Sequence, residues 1–172
     1  MSKAPPEFVA QHARALGRLC KRAGAARWSI SDDSLHDAVY LGAHTAGVLD
    51  RAGVESFIGA LHAEDLGLAI ACRNGESAAW EHFITSFRPA LYAAARAIAG
   101  DEMRGRELAD SLWAELYGIE VRDGRRRSIL SYFHGRSSLL TWLRAVLAQR
   151  HVDYIRSQSR LQPLDDDVEK PG

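Results

Sequence analysis

The residue types that do chemistry in proteins are present but do not converge. The seven histidines, at 12, 36, 44, 62, 82, 134 and 151, are scattered along the chain. His82 follows Glu81, yet the two-histidine helical zinc motif is absent. No glycine-rich phosphate loop, dinucleotide fingerprint or nucleophile elbow occurs. Cys20 and Cys72 lie far apart without metal-ligand spacing and read as a reduced, inert pair. These absences set aside an enzyme and any cofactor. What remains is chemistry of recognition. From Val121 to Arg160, nine arginines stand against two acids, Asp123 and Asp153. Asp165, Asp166, Asp167 and Glu169 then face Lys170. A basic segment joined to an acidic tail can bind a polyanion while the 172-residue chain keeps a formal net charge of zero. A merely solvated basic face fits the charge pattern equally well.

The last periodic segment, from Ser137 or Ser138 to about Arg160, sharpens this. At ~100° per residue, Leu139, Leu140, Leu143, Val146, Leu147 and Tyr154 form a core face. Trp142, Gln149, Asp153, Arg156 and Arg160 fall on a strip away from it. There an aromatic, an amide and an arginine line up at heptad spacing. Such a strip suits bases stacked on a ring and phosphates held by guanidinium groups. Packing of Trp142 against a neighbouring helix is the alternative, and both can hold together. Arg150 projects near the leucine face, which leaves its role open. The preceding turn, His134-Gly135-Arg136, permits a tight bend at Gly135 and a small polar concavity. Ser137 and Ser138 offer caps.

These residues need elements to position them, and the periodicities are helical throughout. Helices are expected over about Pro6–Ala23, from Ser31–Asp33 to Ala46, Val54–Leu61, Glu64–Arg73, Glu76–Ala99 and Gly105–Tyr117. Glycines 24, 75, 100 and 118 suit their stops. Pro89 should kink or restart the long helix. The stretch Arg122–Ser128 reads as charged and irregular, and Ile129–Phe133 as a short apolar piece. Strand signals and internal repeats are absent. No apolar run approaches the ~18 residues of a membrane span, and the N-terminus has no signal core, so a cytoplasmic protein is expected.

Phe133 to Arg156, F-H-G-R-S-S-L-L-T-W-L-R-A-V-L-A-Q-R-H-V-D-Y-I-R, resembles the promoter-melting and minus-ten-recognition segment of extracytoplasmic-function sigma factors, a branch of the sigma-70 family of RNA polymerase subunits. The turn followed by Thr141-Trp142-Leu143 carries the likeness. Asp65 to Leu91 resembles the opening helices of the same domain, with Gly75-Glu76 before the second helix. Glu107 to Tyr117 resembles the helix that docks on the polymerase clamp. The resemblance covers about Asp65 to Arg160.

It implies an all-α fold: a compact helical bundle of the sigma region 2 type at 64–160, a helical N-terminal extension at 1–63, and an acidic tail or interdomain linker at 161–172. It implies core RNA polymerase and single-stranded minus-ten promoter DNA as partners, with an anti-sigma factor a further possibility. By carry-over, DNA would be met by His134, Gly135, Arg136, Ser137, Ser138, Trp142, Gln149, Arg150, Asp153, Arg156 and Arg160. Gln149 stands where the family often has Asn, and either amide can donate and accept. The polymerase clamp would be met by Glu107, Asp110, Ser111, Trp113, Ala114 and Tyr117. Two departures stand out. Asp110-Ser111 replaces the family's Gln-Glu pair, and the second, helix-turn-helix domain has no counterpart in these residues. The N-terminal 63 residues fall outside the family pattern and are open to packing, sensing or regulator binding. A rival reading is a sigma-like helical regulator that binds polymerase or a sigma or anti-sigma partner without reading promoters.

Overall fold

The computed structural model describes residues 2–118, 121–122 and 125–161. The acidic run at Asp165–Glu169 lies outside the described residues, as do the side chains of Arg122, Arg125 and Arg126. Among the described residues, eight α-helices follow one another: α1 Pro6–Gln11, α2 Ala13–Arg22, α3 Asp32–Thr45, α4 Arg51–Ala60, α5 Ala63–Arg73, α6 Ser77–Ala99, α7 Glu102–Tyr117 and α8 Leu139–Leu161. A 3-10 turn, Ile129–Tyr132, precedes α8. None of the helices is long and apolar enough to cross a membrane, among the described residues.

Local chemistry accounts for most boundaries. Ser31 caps α3 by accepting the Ser34 N–H, Asp50 caps α4 through Gly53, and Asp101 caps α7 through Arg104. Three expectations need correction. The first helix is two helices, because His12 leaves helical geometry at φ −111° and ψ 16°. Its ring is buried against Phe8, with Nδ1 3.9 Å from Glu55 on α4, and a tertiary contact of this kind leaves no trace in periodicity. Of the kink or restart expected at Pro89, the restart does not occur: α6 runs from Ser77 to Ala99 through it. Pro89 is exposed, so solvent is at hand for the carbonyl whose helical donor is missing. Finally, the stretch expected to be irregular contains a minimal antiparallel ribbon, Val121–Arg122 with Arg125–Arg126.

Helix α6 is the hub, packing on α5, α7 and α8. Phe83, Leu91 and Ala95 on α6 are fully covered, as are Leu112 and Leu116 on α7 and Leu139, Leu143 and Leu147 on α8. The N-terminal helices join the same core. Leu16 and Leu19 of α2, Leu35 of α3 and Ile58 of α4 belong to one contiguous apolar cluster with Leu66 and Ile70 of α5. Where α2 ends, the backbone of Ala23 comes so close to Gly67 on α5 that a Cβ there would stand 2.1 Å from the Ala23 carbonyl oxygen.

Candidate nucleic-acid interface

The turn that precedes α8 is built from both ends. Gly135 adopts φ +76°, a left-handed conformation that costs glycine little. It is buried, and a Cβ at this position would sit 3.3 Å from the Leu66 side chain. Its carbonyl accepts the His62 N–H at 2.8 Å. Ser138 is the N-terminal cap of α8: its Oγ accepts the Thr141 N–H at 3.2 Å and pairs with Thr141 Oγ1 at 2.8 Å. Ser137 instead donates to the Ser138 carbonyl. The Leu139 N–H donates to Asp65 Oδ2 at 2.7 Å, across 74 residues of sequence. The Leu139 and Thr141 amides are therefore already partnered, and the polar concavity expected here offers fewer free donors than the sequence suggested.

His134 is half-buried, and its side chain lies against Gly42 of α3. Burial, with smaller contributions from Arg136 and Arg73, lowers its pKa below the ordinary 6.5. Arg136 is exposed. Arg73 ends α5, and its nearness to His134 follows from the fold and not from any spacing in the sequence.

Along α8, Trp142 is half-buried, and its ring packs on Phe133 at 5.5 Å with the planes tilted by 57°. It thus packs on a neighbour and stays partly exposed, as the two readings of the wheel allowed. Gln149, Asp153, Arg156 and Arg160 are exposed. Gln149 Nε2 donates to Asp153 Oδ1 at 2.9 Å, so these two strip residues are already paired in the free chain. Arg150, placed by the wheel near the leucine face, forms a two-pronged ion pair with Glu115 of α7. Tyr154 turns to α7, where the Arg104 guanidinium lies 3.3 Å from its ring centroid.

The polymerase-docking candidates lie on α7. Glu107, Asp110, Ser111 and Tyr117 are exposed, and Ala114 is half-buried. Glu107 is paired with Arg104 at 2.5 Å. Trp113 differs: its residue is 9% exposed, its ring meets Phe83 edge-on, and its Nε1 is buried with no hydrogen-bond partner. It therefore lines the floor of a surface and does not project from it. That surface is a groove of about 220 Å³ between α6 and α7, lined by Ile84, Arg88, Tyr92, Asp110, Trp113 and Tyr117. Tyr92 donates its hydroxyl to Asp110 in a short contact. Burial first, then the Asp110 carboxylate, raise the Tyr92 pKa above its ordinary value.

The two candidate faces are thus distinct. The loop with α8 gathers His134, Arg136, Trp142, Gln149, Arg156 and Arg160, while Asp110, Trp113 and Tyr117 meet in the α6–α7 groove. Among the described residues, no three metal-ligating side chains converge. No protein-family model matches the chain, and neither a curated protein nor a solved structure is significantly similar to it.

Proposed function

We propose that this chain carries the polymerase-docking and minus-ten-melting unit of a sigma factor of the extracytoplasmic-function type. One observation carries the reading. Trp142 packs on the loop residue Phe133 while the residue stays partly exposed, and it heads a strip on which Gln149, Arg156 and Arg160 are exposed. A partly exposed ring held by a packed neighbour suits the stacking of an unpaired base. Arginines further along the same helix suit the phosphates that follow. Flipping a base from a duplex costs a few kcal/mol, which such contacts must offset. The α6–α7 groove supports the second half of the reading: it presents an apolar floor with Asp110 and Arg88 at its rim.

The test is a band shift with a single-stranded oligonucleotide of the non-template minus-ten strand, run beside capture of core polymerase. Binding of both is the expected result. A second reading, a sigma-like regulator that engages polymerase without reading promoters, draws on the paired state of Gln149 with Asp153 and of Arg150 with Glu115. Polymerase capture with no oligonucleotide binding selects it.

A further inference from the structure

The loop at 134–138 has no long local scaffold of its own, so something distant must hold it. Besides the contact of His134 with α3, three contacts converge on a single turn. At the start of α5, residues 62–66 meet residues 135–139 three times: the His62 N–H donates to the Gly135 carbonyl at 2.8 Å, Leu66 fills the space beside the Gly135 Cα, and Asp65 accepts the Leu139 N–H at 2.7 Å.

We propose that Asp65 is a positioning residue that sets the angle at which the loop and the first turn of α8 are presented to single-stranded DNA. This rests on the reading of that loop as the DNA-contacting element. Ser138 already supplies the local cap through Thr141, so α8 does not need Asp65 in order to start. What Asp65 adds is the registry of that start against α5. The bond satisfies one of the free amide donors at the beginning of α8. A carboxylate beside a surface meant for phosphates repels the ligand, so Asp65 is poorly suited to be a contact. An anchor needs an acceptor at that spot, and the negative charge is incidental to it.

Charge and acceptor can be separated. Asp65→Asn keeps an oxygen acceptor at the same reach, whereas Asp65→Ala removes it. The full chain is titrated with a fluorescent non-template minus-ten oligonucleotide, and amide hydrogen exchange is followed at Gly135–Leu139. Asp65→Ala should weaken oligonucleotide binding up to about tenfold, the effect of losing one hydrogen bond. It should speed exchange at Gly135–Leu139 and leave polymerase capture unchanged. Asp65→Asn should restore both binding and protection. Equal binding by wild type and Asp65→Ala overturns the proposal, as does an Asn variant as impaired as the Ala one. A wild-type chain that captures polymerase but binds no oligonucleotide overturns the functional reading itself, and the proposal with it. If Asp65→Ala does not fold, as judged by circular dichroism, Asp65→Glu takes its place. One extra methylene displaces the acceptor, and binding should fall below that of the Asn variant. Equal binding by the Glu and Asn variants overturns the proposal.

Discussion

Arg150 on α8 and Glu115 on α7 are joined by two parallel contacts, Nε to Oε1 at 2.8 Å and Nη2 to Oε2 at 2.6 Å. This fork-to-fork geometry is the strongest form of ion pair between side chains. It ties the helix of the proposed DNA face to the helix of the proposed docking face. A double-mutant cycle of Arg150→Ala and Glu115→Ala, read by urea unfolding, should give a coupling of about 1 kcal/mol, because both side chains are partly open to solvent. Independent, additive effects of the two substitutions would contradict this. Salt should weaken the coupling.

Trp142→Ala should impair promoter opening far more than polymerase capture. The ring leans on Phe133 and does not line the α6–α7 groove. Permanganate footprinting of the minus-ten region reads the opening directly, and a normal footprint would remove Trp142 from the melting surface.

Gln149→Leu should change the preference at one minus-ten base and release Asp153 from its hydrogen bond. A base-by-base selection profile checks this. An unchanged profile would assign Gln149 to the helix surface, with Asp153 as its partner.

His134 gives a pH dependence with a definite sign. Its folded-state pKa lies below the ordinary 6.5, chiefly through burial. Between that lowered value and 6.5, the unfolded chain holds more protons than the folded one, so stability rises with pH across this window and is lost as pH falls through it. Thermal melts of wild type and His134→Gln should diverge below pH 6.5, with the Gln variant losing less on acidification. Anion binding favours the charged ring. Oligonucleotide affinity of the wild type should therefore rise more steeply than that of the variant as pH falls through the same window.

Gly67→Ala should destabilise the chain by about 3 kcal/mol, because the new methyl group would meet the Ala23 carbonyl, a backbone atom that cannot rotate away. Equilibrium unfolding measures it. A variant as stable as the wild type would mean that α2 and α5 can part at little cost.

The helices were legible because their signals are local. Ser31 and Ser138 announce helix starts by residue type, and the leucines of α8 announce a buried face by spacing. The ribbon at 121–126 was missed although Asp123-Gly124 lies between its arms, because arms of two residues carry no alternation to read. Arg150 fell between faces on an ideal wheel, and its role was decided by Glu115, which lies 35 residues earlier on another helix. Asp65 could not have been singled out at all. It reads as an ordinary acid in the first turn of a helix, and its partner lies 74 residues away. The tight turn at Gly135 was therefore visible in sequence, while its mooring depends on long-range pairing that no spacing rule encodes.

The apolar cluster that runs without a break from Leu16 to Leu147 bears on how the molecule comes apart. With Ala23 wedged against Gly67, the first four helices have little freedom to melt ahead of the rest. Amides in α2 and α6 would then exchange with the same free energy, and heat would produce one calorimetric peak. A regulator seeking to disarm such a chain by unfolding it must overcome the cooperativity of the whole. One that merely covers a surface faces no such barrier.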